Sequence, residues 1–483
     1  MRIESLEPGA LWRHFAALAA VPRGSKNEAA AARYVMKAAA ERGIGAERDA
    51  AGNVVIRLPA SPGHESAETV VLQGHLDMVC EKNAGTEHDF ENRGVRAVVD
   101  GEWVRAEGTT LGADNGIGVA AALALLDDRS AVHGPIEILL TIDEESGMSG
   151  AKALEAAWLK GRRMLNLDSE EDGTLYVGCA GGGNSEIEIL LRRDPPPKGF
   201  KALRVEVSGL RGGHSGLNIG ENRANAVKLL VRLLVDVAGK LPLKLGSVDG
   251  GNKHNAIPRE AWAVAFVPAR REDTFRKLVA EWQDVFRRES GSIEPGLRVA
   301  VAPAPPDRPR PMTAPAARRT LDLLAALPHG ALGMSQDLPN LVETSSNLAV
   351  VATSERSVRI VTSSRSSVAP TLRAVLGSIA AACRLAGVEC VQAGGYPGWK
   401  PNMDSHLLRV ARETCKAMYG AEPKVTAIHA GLECGIIAES IPGMDMLSFG
   451  PQIEGAHSPD ERVRVASVAR FYDFLKGVLR ALA

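Results

Sequence analysis

The 483-residue chain is poor in aromatic side chains, which make up 4% of it. They are scattered, so no stacking platform for single-stranded nucleic acid is expected. Neither sign of charge is in excess. Lys and Arg number 57 and Asp and Glu 58, and the net charge of −1 gives no general pull toward nucleic acid or an anionic membrane. No apolar run is long enough to span a bilayer. The start, Met1-Arg2-Ile3-Glu4-Ser5-Leu6-Glu7-Pro8, lacks the apolar core of a signal peptide. The cysteines (Cys80, Cys179, Cys383, Cys390, Cys415, Cys434) are dispersed, with no Cys-x-x-Cys pair. In a chain of this length they read as buried or free thiols and not as a disulfide framework. The resulting expectation is a cytoplasmic protein with neither nucleic acid nor membrane as partner, whose function comes from a local site.

The length suggests two or three domains. Up to about residue 187, short apolar strands alternate with helices. The strands read as Asn53–Leu58, Thr69–Gln73, Pro135–Ile142 and Arg163–Leu167, and the helices as Glu28–Arg42 and Asn115–Asp127. That pattern indicates an α/β unit with a largely parallel sheet. Beyond residue 187, Glu186–Ile189 and Leu203–Val207 alternate apolar and charged residues, as in a sheet with one solvated face. The Pro-rich stretch Ala302–Pro315 reads as a linker. Similar orders of elements begin at Asn255 and Asn347, a weak internal duplication. From Gly398 the α/β pattern returns. The expected architecture is a discontinuous catalytic domain, residues 1–187 and 397–483, with an inserted α+β domain, 188–396, built from two similar units.

Five places put metal-capable side chains just past a predicted strand end or at a helix start. They are His75-Leu76-Asp77, Gly112-Ala113-Asp114-Asn115-Gly116, Asp143-Glu144-Glu145, Asp168-Ser169-Glu170 and Gly455-Ala456-His457-Ser458-Pro459-Asp460-Glu461. Ligands gather at the carboxyl ends of strands in open α/β sheets. Each motif alone has an ordinary reading: a hydrogen-bonded His, an Asp N-cap, surface acids at a strand exit. Their order along the chain is what singles them out.

That order resembles the cocatalytic metallopeptidases, the family that includes carnosinases, aminoacylases and aminotripeptidases. Within it, the resemblance is to the branch acting on Xaa-His dipeptides. It rests also on Gln73–Lys82, Thr110–Gly118, Gly178–Gly182, Leu210–Gly216, Lys253–Pro258 and His429–Gly435, and covers essentially the whole chain. The resemblance implies a phosphorylase/hydrolase-like catalytic domain and two divalent metal ions, zinc first, with manganese or cobalt also suited. It implies one metal on His75, Asp114 and Asp168 and the other on Asp114, Glu145 and His457. Asp77 would orient His75, and Glu144 would be the general base toward a metal-bridging water. In simpler relatives a partner subunit supplies a His and an Asn. Here His214 and Asn255 match that pair, and Arg365 lies in the second half of the insert. One chain is therefore expected to mimic two subunits, with His214 at the oxyanion and Arg365 on the substrate carboxylate. Glu433 would meet the substrate's free amine or an imidazole, and His254 and His429 adjoin the same motifs. The expected activity is hydrolysis of dipeptides, Xaa-His and carnosine-like ones included, by a chain compatible with a homodimer. The alternatives are an N-acyl amino acid deacylase on the same metals and a non-catalytic binding protein of the same fold.

Overall fold

The computed structural model describes residues 2–483 and divides into two compact units. One comprises the chain through Gly178, Pro401–Ala427 and Leu432–Ala483; the other comprises Cys179–Lys400 and Ile428–Gly431. The expected boundary at 187/188 falls inside the strand Gly181–Leu190.

The first unit is organised on an eight-stranded sheet. Its order is Gly45–Arg48, Val54–Leu58, Ile136–Thr141, Val70–His75, Arg163–Asn166, Asp445–Ser448, Thr174–Cys179 and Lys424–Ile428. The inner four, from Ile136–Thr141 to Asp445–Ser448, run parallel. Val54–Leu58 joins them antiparallel, so the sheet is mixed with a parallel centre. Every residue of Val70–His75 and Ile136–Thr141 is buried, as expected for strands covered on both faces. The helix Ala113–Ala124 packs on Val70–His75 with almost all of its residues buried, which its run of Ala, Gly, Val and Leu permits. A small antiparallel sheet escaped the sequence reading because its strands have two to four residues. It orders Ile453–Glu454, Arg462–Arg464, Trp103–Ala106 and Ala97–Asp100. It ties the loop bearing His457 to the strand that leads into Leu111–Asp114.

The second unit contains a nine-stranded sheet in which two βαββαβ halves supply eight strands and Gly330–Met334, paired with Val342–Thr353, is the ninth. The first half is Phe200–Ser208, helix Ala226–Lys240, Lys244–Gly250, Ala261–Pro268, helix Glu272–Ser290 and Arg298–Pro303. The second is Gly181–Leu190, helix Ala314–Ala326, Val342–Thr353, Ser357–Ser366, helix Ala369–Leu385 and Cys390–Tyr396. In both, the spatial order is last, first, third, second strand. The halves meet where Gly250 pairs with Val351. The first half is thus inserted between the first strand and first helix of the second, and the repeat is longer than the one read from Asn255 and Asn347. Its helix Ala226–Lys240 buries Val227, Leu230, Leu234 and Val237 at helical spacing. Asn225 caps it, accepting from the N–H groups of Val227 and Lys228 at 2.9 and 3.2 Å. The stretch Ala302–Pro315 is not a linker between domains. It closes one strand and opens the helix Ala314–Ala326, pinned between by Met312 N to Leu245 O at 2.7 Å and Asp194 N to Pro311 O at 2.8 Å.

Candidate metal centre

The sheet of the first unit delivers its chemistry at the carboxyl ends of the parallel strands. His75 is the last residue of its strand. Glu144 and Glu145 follow Ile136–Thr141, and Asp168 follows Arg163–Asn166. Asp114 sits at the entry of the helix Ala113–Ala124 with non-helical backbone, and its side chain makes no capping bond. The loop between Ile453–Glu454 and Arg462–Arg464 carries His457, held at φ +63°. A side chain in that left-handed region costs on the order of 1 kcal/mol, so the loop's other contacts must hold it there.

Asp114 divides its two oxygens between two donor sets. Oδ1 is 3.1 Å from His75 Nε2, which is 3.3 Å from Asp168 Oδ1. Oδ2 is 3.1 Å from His457 Nε2, which is itself 3.1 Å from Glu145 Oε2. His75, Asp114 and Asp168 therefore offer one set of converging ligand atoms, and Asp114, Glu145 and His457 another. Glu144 and Glu145 group with His75 as well. Asp143, the first acid of its triplet, turns elsewhere. It accepts from Ser146 and, at 2.6 Å, from Ser149, and shapes the turn that aims its neighbours.

Three further side chains, of which Glu461 and Arg23 had been given no role from the sequence, hold these loops. Asp77 is fully buried and lies 3.3 Å from His75 Nδ1. It accepts from Glu144 N at 3.0 Å, Glu145 N at 3.1 Å and Ser25 Oγ at 2.8 Å. One carboxylate thus orients a histidine and the backbone of both glutamates. Glu461 accepts from four successive N–H groups, Leu111, Gly112, Ala113 and Asp114, at 2.7–3.3 Å. Gly112 at φ +71° makes that concave turn, where a side chain would be strained. Arg23, buried, donates to the carbonyls of Leu76, Asp77 and Gly112. Ser25, Glu461 and Arg23 lie far from the motifs or act on backbone, so spacing gave no signal for Arg23 or Ser25. Glu461 lay inside a quoted motif without a role.

The electrostatics fit a pair of cations. Buried oxygens of Glu145 (Oε1) and Asp168 (Oδ1) have no hydrogen-bond partner. Burial and the nearby charges of Asp168, Glu145 and Glu433 hold Glu144 well above the usual carboxylate range, against the pull of His75. Burial and Asp114 push Asp168 up to about 7. His457 rises to about 11 through its bonds to Asp114 and Glu145. Burial alone would depress His75, but Asp168, Asp114 and Asp77 outweigh it and raise it well above its ordinary value. The imidazoles carry the positive charge that this cluster of carboxylates demands, a task divalent cations perform better. The donor groups contain imidazole and carboxylate and no thiolate.

The remaining expected residues fall in two places. In the second unit, Gly213–His214 pairs with Ala256–Ile257, and Ser215 N donates to Asn255 O at 2.8 Å, so His214 and Asn255 are neighbours. His214 Nδ1 accepts from the N–H groups of Gly216 at 3.2 Å and Leu217 at 3.1 Å, which places its own proton on Nε2. Burial, with the charge of Arg365 behind it, lowers this ring to about 4. Arg365 belongs to the strand Ser357–Ser366 and is nearly buried. Glu433 lies in the first unit, where it begins the helix Glu433–Ser440 and has no exposed surface. Its Oε2 accepts from Thr141 Oγ1 at 2.5 Å and Gln73 Nε2 at 2.7 Å, and burial raises it to about 8. In this conformation it is closed to a substrate amine.

Residues 71–481 match Peptidase family M20/M25/M40. The chain is 41% identical over 480 residues to the cytosol non-specific dipeptidase of Escherichia coli, covering 99% of both chains. The structure matches aminoacylhistidine dipeptidase from Vibrio alginolyticus at a TM-score of 0.93 and 42% identity, over 100% of this chain and 98% of that one. Aminopeptidase PepT from Bacillus cereus shares the fold at a TM-score of 0.57 and 16% identity, over 99% of each chain. With the family matched over most of its length and relatives this similar end to end, the chain belongs to peptidase family M20/M25/M40.

Proposed function

We propose that the chain is a cytoplasmic, metal-dependent dipeptidase that cleaves small free dipeptides, Xaa-His dipeptides included. The observation that carries this reading is the division of the Asp114 carboxylate, one oxygen toward His75 and Asp168, the other toward His457 and Glu145. The relatives similar over full length, named as dipeptidases, support the substrate class. One ion would be held by His75, Asp114 and Asp168 and the second by Asp114, Glu145 and His457, with zinc the first choice and manganese or cobalt alternatives. When bound, such a pair would acidify the attacking water and polarise the scissile carbonyl.

The side chains do the rest. Glu144 takes the proton of the attacking water and hands it to the leaving amine. Asp77 fixes the ring of His75 and the backbone that aims Glu144. His214, with its proton on Nε2, donates to the developing oxyanion beside Asn255. Arg365 holds the substrate's C-terminal carboxylate. The two units correspond to a catalytic domain and an inserted lid. Nothing in this scheme requires assembly, and a homodimer is compatible with it.

The test is a panel of free and N-blocked dipeptides assayed after chelation and re-addition of Zn²⁺, Mn²⁺ or Co²⁺. Restored turnover of free dipeptides alone is the expected result. Preference for N-blocked substrates would make the chain a deacylase on the same centre, and metal-independent turnover would overturn the reading.

A further inference from the structure

Four adjacent strands of the second unit each contribute one residue to a single row. Ser345 pairs with Arg365, Arg365 with Gly182, and Gly182 with Tyr396. Directly opposed residues project from the same face of a sheet. The row therefore reads Ser, Arg, Gly, Tyr, with a gap where the glycine stands. The Tyr396 ring occupies that gap. A Cβ on Gly182 would lie 2.7 Å from ring atoms Cε1 and Cζ and 2.8 Å from the hydroxyl. Gly431 borders the ring's other edge, where a Cβ would come within 2.8 Å of Cε2. Laid across the glycine strand in this way, Tyr396 reaches past its own neighbour. Its hydroxyl accepts a 2.9 Å hydrogen bond from Arg365 Nη1.

Arg365 is 8% exposed, and its Nε has no hydrogen-bond partner. No carboxylate among the described residues forms an ion pair with it. A buried cation without a counter-charge is costly and invites an anion from outside. The polar groups around it do not supply one. His429, bonded through Nε2 to Ser345 Oγ at 2.7 Å, is lowered to about 3 by burial and then by the charge of Arg365. His214 is likewise neutral near pH 7.

We infer that Tyr396 is a positioning residue: bonded to Arg365 Nη1 from across Gly182, it sets the plane of the guanidinium so that its free N–H groups meet a substrate carboxylate as a two-point fork. This rests on the reading of Arg365 as the carboxylate-binding residue. The row explains why Gly182, the middle of three glycines in a strand, carries no side chain where glycine ordinarily weakens pairing. It also couples two motifs distant in sequence, since Gly182 and Gly431 confine the same ring.

The experiment compares a free dipeptide with the same dipeptide carrying a C-terminal carboxamide, on the metal-loaded enzyme. Tyr396→Phe removes one hydroxyl and should raise KM for the free dipeptide by roughly tenfold or more, the size of one lost hydrogen bond to a charged group. Its kcat should stay within about twofold, since the carboxylate is bound alike in ground and transition states. The carboxamide should be insensitive to the substitution. Gly182→Ala, which crowds the ring without touching its hydroxyl, should reproduce the same split. In an Arg365→Ala background, Tyr396→Phe should have no further effect. If Arg365→Ala distinguishes the two substrates but Tyr396→Phe does not change KM, Tyr396 has no positioning role and the reading of Arg365 stands. A Tyr396→Phe effect equal on both substrates would mean general damage to the strand and would also overturn the inference. If Arg365→Ala raises KM equally for both substrates, the carboxylate reading itself fails.

Discussion

Glu144 and Glu145 are sequence neighbours with different surroundings. Glu145 Oε2 faces His457, while burial and like charges raise Glu144 well above the usual carboxylate range, which makes it the stronger proton acceptor. Glu144→Gln keeps the shape and loses the ability to accept a proton. It is expected to leave metal content unchanged and to lower kcat by on the order of a hundredfold or more; parallel loss of metal by elemental analysis would make Glu144 a ligand instead. Glu433 poses the opposite case. Fully buried and raised to about 8, it is neutral near pH 7. Glu433→Gln should therefore leave KM for a free dipeptide within about twofold. A tenfold or larger rise would restore the role toward the substrate's amine that its motif suggested. These metal-capable residues were legible in the sequence because each stands in a short motif at a strand exit. Arg23 and Ser25 were not, because a side chain that binds a carbonyl or a buried carboxylate leaves no pattern in its own neighbourhood.

The carboxyl ends of the strands are built in tiers. Gln73 and Asn166 stand two residues before His75 and Asp168, on the same face, and Ser448 pairs beside Asn166. Asn166 donates to Gln73 Oε1 and Ser448 to Asn166 Oδ1, both at 2.5 Å. A polar tier thus underlies the ligand tier, which explains polar residues at the ends of strands that read as apolar. The loops above are bound by Glu461, whose two oxygens take four N–H groups. Glu461→Gln halves the acceptor oxygens, leaving two buried N–H groups unpaired at about 1–3 kcal/mol each. It should lower Tm and weaken metal retention by about tenfold or more in dialysis against a chelator. Unchanged metal retention with lowered Tm would confine Glu461 to stability. The parallel strands of the first unit and the helices read at Glu28–Arg42 and Asn115–Asp127 were readable from apolar periodicity, whereas Gly9–Ala19 and Ala314–Ala326 were not read. The two- to four-residue strands that anchor the His457 loop were too short to show a period.

Three histidines of the second unit are half-buried or buried. His214 and His329 are lowered to about 4 and His429 to about 3, in each case first by burial. In an unfolded chain they titrate near about 6.5. Between these values the unfolded state binds more protons, so stability is full above about pH 6.5 and is lost as pH falls toward 4. Calorimetry should show Tm falling from pH 7.5 to 5, with a shallower fall in His329→Asn; a Tm that rises on acidification would count against it. The two halves of this unit place His214 and Arg365 on one polypeptide. Mixing inactive His214→Ala with inactive Glu144→Gln under subunit exchange should therefore restore no activity. Recovery would mean that His214 serves a partner's site. The nesting of one half inside the other, invisible to a reading that looked for repeats in tandem, also sets a timetable for synthesis. Gly181–Leu190 emerges early, yet its partners Ser357–Ser366 and Cys390–Tyr396 follow only after the whole Phe200–Pro303 half. At ribosomal speeds that wait, roughly 170 residues, lasts on the order of 10–30 s, during which both edges of the strand are unpaired. A chain truncated just after Pro311 and released should show Phe200–Pro303 resistant to protease and Gly181–Leu190 open to cutting. The strand that holds the gap for Tyr396 is thus open to mispairing in the newborn chain until its partners have been made.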